Sequence, residues 1–202
     1  GVYSTVYRES SMQTLNIHEA ISVLKKGGVI AFPTETTYGL GCDPRNKEAV
    51  ERIFRMKGRD YKKPLLLVAG SLGQVESVVY LSTHARSLTK KYWPGPLTLI
   101  LPARSDAELV DGVSVGGEVA VRFSSSEIVR SLTNTFGFPI VATSANLTGQ
   151  PDSRSADEVR AYCLEVDYII DGGVLVESKP STVARVKEDG EVEVIRRGVI
   201  TL

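Results

Sequence analysis

Lys57 and Arg59 stand two residues apart, and so do Ser144 and Asn146. These four side chains suit the holding of phosphates. In extended backbone, positions i and i+2 project to the same side, so each pair can bring two polar tips to one point. Arg supplies a forked set of donors and Lys a compact charge. Ser donates and accepts, and Asn offers both kinds of group through one amide. Each pair also has a plainer reading. The first could be a basic helix end paired with Asp60 or Glu51, and the second a capped turn, a common backbone use of Ser and Asn. Small hydroxyls gather again at Thr34-Glu35-Thr36-Thr37-Tyr38, with Gly39 and Gly41 close behind, and at Pro180-Ser181-Thr182. Glycines there allow the backbone close to a ligand, or they serve an ordinary polar connection. Arg122 interrupts the apolar run Val119–Phe123 and calls for an anionic partner, either a structural carboxylate or a ligand's.

Most of these segments begin or follow an apolar extended run, where ligands of α/β proteins gather. Together they imply a site for an anionic, nucleotide-like ligand. The sequence has no Gly-x-x-x-x-Gly-Lys-Ser/Thr loop and no Gly-x-Gly-x-x-Gly turn. Dispersed cations and hydroxyls would therefore hold the phosphates.

Apolar spacing predicts helices over 16–26 (capped by Asn16), 46–56 (ending at Gly58), 71–80, 83–92, 126–136 and 156–164. Short apolar runs predict strands at 29–32, 65–69, 97–101, 119–123, 139–142 and 168–170. The C-terminal part reads as a hairpin of 182–186 and 192–195 around Asp189-Gly190. Residues 103–117 read as irregular. Alternating helices and strands closed by a meander make an α/β fold with a twisted, mixed β-sheet flanked by helices.

The 202 residues are expected to form a single domain over 1–202, with 1–14 a peripheral N-terminal segment. Charged residues balance at 24 basic and 24 acidic, against a dedicated duplex-binding polycation but not against a local basic patch such as 52–63. Two distant cysteines, Cys42 and Cys163, make no metal or redox motif, and no metal site is expected. His18 and His84 are too few for a histidine-based metal centre or triad. No apolar run is long enough to span a membrane, so no membrane partner is expected, and the setting is expected to be cytoplasmic.

In their order, the segments 27–40, Lys57-Gly58-Arg59, Trp93-Pro94-Gly95-Pro96-Leu97-Thr98, Val119-Ala120-Val121-Arg122, Thr143-Ser144-Ala145-Asn146-Leu147-Thr148-Gly149 and Pro180-Ser181-Thr182-Val183 resemble the YrdC-like family of threonylcarbamoyl-AMP synthases. The resemblance runs from about residue 15 to residue 200. It implies a YrdC-like fold with a central concave ligand cavity. It also implies a nucleotidyltransferase that joins L-threonine, bicarbonate and ATP, with magnesium, into threonylcarbamoyl-AMP and pyrophosphate. A downstream threonylcarbamoyl-transferase complex acting on tRNA next to the anticodon is the implied partner, with weak tRNA binding by the chain itself. By the same resemblance Lys57, Arg59, Ser144 and Asn146 are the catalytic set, joined at ATP by Lys63 and Arg196. Thr34, Thr36, Tyr38, Arg122, Ala142 (through its backbone) and Ser181 would hold threonine. Glu35 would stand behind the site, and 60–64 or 103–117 would move as a lid.

The sequence departs from the family pattern at Lys63, where many members carry Asn, at Val68, where longer members carry His, and at Glu118, where a small polar residue is frequent. By the same resemblance, Asp152 and Ser153 stand near a further nucleotide contact of the family. The larger family form continues into another domain, whereas this sequence ends soon after Arg196. Two other readings are an RNA-binding module of the same fold and a carbamoyl-AMP-forming relative.

Overall fold

The computed structural model describes residues 17–162 and 164–202. The expected peripheral segment 1–14, the Asn16 cap and Cys163 lie outside the described residues. Helix α1 is described over 17–25. Strand β1 (Ile30–Pro33) follows and turns directly into β2 (Tyr38–Gly41), an antiparallel partner buried along its whole length. Thr34 closes the turn: its hydroxyl accepts from the amides of Thr36 and Thr37 at 3.1 and 3.2 Å and donates to the Thr37 carbonyl at 2.7 Å.

The polar residues after Pro33 predict a loop over Tyr38–Gly41, with its glycines open to a ligand. In the structure those glycines admit protein. A Cβ on Gly41 would lie 2.6 Å from the Val141 carbonyl oxygen and 2.6 Å from the Phe32 ring, closer than real contacts allow.

Helix α2 (Lys47–Lys57) begins under an Asn46 side chain that accepts from the Ala49 amide, a cap that contributes about 1 kcal/mol. It ends at Gly58, whose φ of 63° is left-handed. Its buried stripe is Ala49, Val50, Ile53, Phe54 and Lys57. Lys57 thus lies one turn beyond Ile53 on the face turned to the core.

Next come β3 (Leu67–Ala69), α3 (Leu72–Glu76), α4 (Thr83–Tyr92), β4 (Leu97–Pro102) and β5 (Glu118–Phe123). Helix α3 is shorter than the spacing of 71–80 predicts. Beyond it Val78 and Val79 are buried, Val79 bridges to Ala103, and the Tyr80 amide donates to the Pro102 carbonyl. β-Branched residues with a strand edge to join leave the helix early. The stretch 103–117 is pinned by a short 3₁₀ turn, Ser105–Ala107, and by the Ala103 amide on the Gly117 carbonyl.

The remaining elements are α5 (Glu127–Phe136), β6 (Ile140–Val141), β7 (Thr143–Ser144), α6 (Ala156–Ala161), β8 (Tyr168–Ile169), β9 (Thr182–Val186) and β10 (Val192–Arg196). The strands form two sheets, not one. The four-stranded sheet runs β7-β2-β1-β8 and the six-stranded sheet β10-β9-β4-β5-β3-β6, both mixed. The predicted strand 139–142 is shortened to Ile140–Val141 of the larger sheet, and the chain passes from there to the smaller one. It leaves the edge of one sheet at Val141 and enters the edge of the other at Thr143, while Ala142 donates its amide to the Leu66 carbonyl.

Apolar faces of α2 and the larger sheet share one core, containing Val50, Ile53, Phe54, Leu97, Leu99 and Val121. Helices α1 and α5 cover β1 in a second, with Leu24, Phe32 and Leu132. Both helices therefore rest on elements that lead into the junction of the sheets.

Candidate active site

The Lys57 ammonium lies at that junction. It donates to the Ser144 carbonyl, to Ser144 Oγ at 3.3 Å, and to the Asn146 carbonyl at 3.2 Å and its Oδ1. The expected i, i+2 pair thus meets one cation. Ser144 Oγ in turn donates to Asn146 Oδ1 at 2.9 Å, and Asn146 Nδ2 donates to the Gln150 carbonyl at 2.6 Å. The Thr148 amide donates to the Lys57 carbonyl at 3.0 Å, laying the turn on the helix end.

Beyond the Gly58 turn, Arg59 donates through Nε to the Lys63 carbonyl at 3.0 Å and through Nη2 to the Pro64 carbonyl at 2.8 Å. Arg196, at the end of β10, grips Ser181: Nη2 reaches its carbonyl at 2.8 Å and its Oγ at 2.9 Å. The Ser181 hydroxyl also meets that of Thr98 at 3.0 Å.

These cations feel one another. Burial pushes the Lys57 ammonium down to about 8, helped by Arg59 and opposed by Asp152. Burial and Arg196 press Arg59 down. Arg196 is lowered by burial and by Arg122, with Asp152 acting the other way. The influence runs as a chain from Lys57 to Arg59, from Arg59 to Arg196 and from Arg196 to Arg122, residues that come from a helix end, a loop, an edge strand and a central strand. Lys57, Arg59 and Arg196 are bound to neutral oxygens, with no carboxylate in salt-bridge contact among the described residues. Such a set carries positive charge that a polyanion can neutralise.

Arg122 has a carboxylate: Nη1 donates to Glu35 Oε1 at 2.6 Å. Of the two partners left open by the sequence, the structure supplies the protein's own. Burial tends to raise the Glu35 carboxyl, but Arg122, Ser125 and Ser124 outweigh it and hold it below the usual range. Thr34 and Thr36 are buried nearby with their hydroxyls 3.0 Å apart.

Tyr38 is turned elsewhere. Its hydroxyl donates to the Gly173 carbonyl at 2.7 Å and accepts from the Gly172 amide at 3.0 Å, tying β2 to the 171–175 segment. The Lys63 side chain is exposed, and its backbone carbonyl is what meets Arg59. Val68 belongs to the apolar core at 1% exposure and offers no polar contact. Glu118 pairs with Arg185 at 3.0 Å on the outer face. Sequence reasoning missed Thr98 and the weight of Asp152. Thr98 could have been found as an inward-facing hydroxyl in an apolar strand.

A hollow of about 520 Å³ is lined in part by Thr37, Asp152, Arg154, Glu177 and Ser178, and by none of the residues that the family resemblance assigns to ATP or threonine. His18 and His84 are exposed, and burial raises the Cys42 thiol far above its ordinary value. Among the described residues, no group of three or more His, Cys, Asp or Glu could hold a metal, and no helix is long and apolar enough to cross a membrane.

The Sua5/YciO/YrdC family model, described as telomere recombination, matches residues 22–198. A threonylcarbamoyl-AMP synthase of Bacillus subtilis is 39% identical over 96% of this chain, which spans only 56% of that relative. The synthase of Sodalis glossinidius is 37% identical over 94% of this chain and 98% of its own length. The crystal structure of Pyrococcus abyssi Sua5 complexed with L-threonine superposes with a TM-score of 0.83 at 37% identity, covering 90% of this chain and 54% of that one.

Proposed function

The chain belongs to the Sua5/YciO/YrdC family, and on that premise we propose that it is a threonylcarbamoyl-AMP synthase acting in the cytoplasm. It joins L-threonine, bicarbonate and ATP into threonylcarbamoyl-AMP and pyrophosphate. The threonine amine attacks bicarbonate or CO2 to form a carbamate; the bicarbonate route releases water. A carbamate oxygen then attacks the α-phosphorus of ATP, and pyrophosphate leaves.

No enzyme nucleophile is needed, so the work is positioning and stabilisation of spreading negative charge. Lys57 and Arg59 would face the phosphates, with Ser144 and Asn146 fixing the ammonium. Arg196 would take the departing pyrophosphate side. Arg122, Thr34, Thr36, Ser181 and the Ala142 backbone would frame threonine. Lys63 and Tyr38 would act from the margin, through the Arg59 loop and the 171–175 segment respectively. Magnesium enters with ATP as the phosphates' counter-ion and requires few protein ligands; Asp152 is the carboxylate that acts on both Lys57 and Arg196.

The observation that carries this reading is the set of cations, Lys57, Arg59 and Arg196, whose protein partners are neutral oxygens. The product is an activated mixed anhydride, so an acyl-type transfer must consume it: a threonylcarbamoyl-transferase complex acting on tRNA.

The test mixes protein, ATP, magnesium and bicarbonate with each amino acid in turn, plus a carbamoyl phosphate arm, and reads adenylates by mass. Threonylcarbamoyl-AMP with threonine alone is the expected result. An adenylate formed only from carbamoyl phosphate, or none at all, would overturn the reading.

A further inference from the structure

Arg122 is the exception within its own cluster. Lys57, Arg59 and Arg196 meet neutral oxygens, whereas Arg122 is paired with Glu35, the two side chains being only 7% and 14% exposed. The other Arg122 N–H groups take no protein partner among the described residues. Glu35 sits in the β1–β2 turn of the smaller sheet and Arg122 in β5 of the larger, so the pair crosses between sheets.

The carboxylate also accepts from Ser124 Oγ at 2.9 and 3.0 Å, from Ser125 Oγ at 2.9 Å and from the Ser125 amide. It is thereby held from several directions. A cation meant only to neutralise phosphate gains nothing from a buried anion. A guanidinium fixed in plane through one nitrogen instead directs its remaining donors along set lines, the geometry that selects a small planar carboxylate.

We propose that Glu35 is a positioning residue for amino-acid recognition: it orients Arg122 and locks the Ser124–Ser125 bend so that the guanidinium receives the amino-acid carboxylate at a fixed bearing. This rests on the synthase reading given above.

The experiment compares KM for L-threonine and for ATP in the wild type, Glu35→Gln and Ser125→Ala, with L-threoninamide as a competitor lacking the carboxylate. Glu35→Gln raises the KM for threonine about tenfold, as expected for a misdirected clamp, leaves that for ATP within about twofold, and narrows the discrimination between threonine and threoninamide. Ser125→Ala, which keeps the charge pair, moves the same KM by about threefold and decides the matter if Glu35→Gln does not fold. Equal rises in both KM values, or an unchanged threonine KM in a folded variant, overturn the positioning role alone. A wild type that forms no adenylate with threonine removes the synthase reading and this one together.

Discussion

The arginines of the periphery and the cations of the candidate site carry the same charge in opposite surroundings. Arg185 on β9 is met by the carboxylates of Glu118 and Glu193 at 3.0 and 3.3 Å, and Arg52 by that of Asp167 at 2.6 Å. Hydrogen bonds to Glu118 and to Asp167 raise these two guanidinium groups above their ordinary range. In the candidate site, Lys57, Arg59 and Arg196 meet carbonyls, an amide and hydroxyls, and all are lowered. A charge balanced by the protein holds the fold together. A charge left unbalanced, and kept in place by neutral oxygens, is an incomplete interaction that a ligand completes. Under the proposed function, that difference is what separates structural from functional cations in a chain of zero net charge.

The strongest way to break this contrast is to remove a candidate-site cation. Lys57→Met and Arg59→Ala are each expected to lower pyrophosphate release by about 10²- to 10³-fold, the usual loss for a preorganised charge-stabilising group. Melting temperature should stay level or rise, because a repulsive neighbour is gone. A folded variant of either kind with wild-type turnover would show that the unbalanced charge is not functional.

The Lys57 ammonium sharpens the contrast through pH. With its pKa at about 8 in the free protein, Lys57 loses its charge as pH rises through 8, and the affinity for a non-hydrolysable ATP analogue is expected to fall along the same curve. Lys57→Arg, which does not titrate there, should flatten it. The effect on stability has the opposite sign. The unfolded chain holds the Lys57 proton up to about 10.4. Between the two values the unfolded state therefore binds more protons, and stability gains from rising pH, by no more than about 3 kcal/mol. Below about 8 the full penalty remains. Denaturant midpoints of wild type against Lys57→Met across that window isolate the increment.

How much of this could be read in the sequence depended on how local each cause was. Helices α2 and α4 carry their own signals, an apolar stripe with Asn46 or Ser82 as cap. Strand β2 does not: Tyr-Gly-Leu-Gly has weak strand propensity, and its glycines make sense only beside Val141, which lies a hundred positions on. The junction at Ala142 was equally hidden, since nothing in a short apolar run marks a change of sheet. Spacing paired Ser144 with Asn146 and Lys57 with Arg59; that Lys57 belongs with Ser144 and Asn146 came from the family resemblance, and the reason they meet was not legible. The clearest clue is that Lys57 lies four residues after Ile53, on the buried stripe. Arg122 announced a need for an anion, yet its partner lies 87 residues away, beyond any local pattern.

A smaller effect tests what keeps Arg59 in place. The loop 60–64 whose carbonyls hold Arg59 is anchored by Tyr61, stacked on Phe54 with ring centroids 4.2 Å apart and planes 13° from parallel. Tyr61→Ala is expected to cost about 1 kcal/mol of stability, typical of an aromatic pair. It should lower kcat/KM for ATP by about fivefold, the loss from a slightly misplaced cation. A drop in stability with unchanged kinetics would show that the loop holds Arg59 without the stack.

The least effect is expected where the charges are balanced. Arg185, Glu118 and Glu193 have side chains 33%, 36% and 45% exposed, so water and salt already screen the pair. Arg185→Ala should lower stability by no more than about 1 kcal/mol at low ionic strength, and by less in 0.5 M salt, with kcat/KM within about twofold of wild type. The salt dependence matters more than its size. An exposed, compensated arginine loses its contribution when screened, whereas under the proposed function a candidate-site cation would act on bound phosphates in a partly buried site that bulk salt reaches poorly. If Arg185→Ala lowered activity as far as Arg59→Ala does, the partner of a cation would say nothing about its role, and the division between balanced and unbalanced charge would have to be given up.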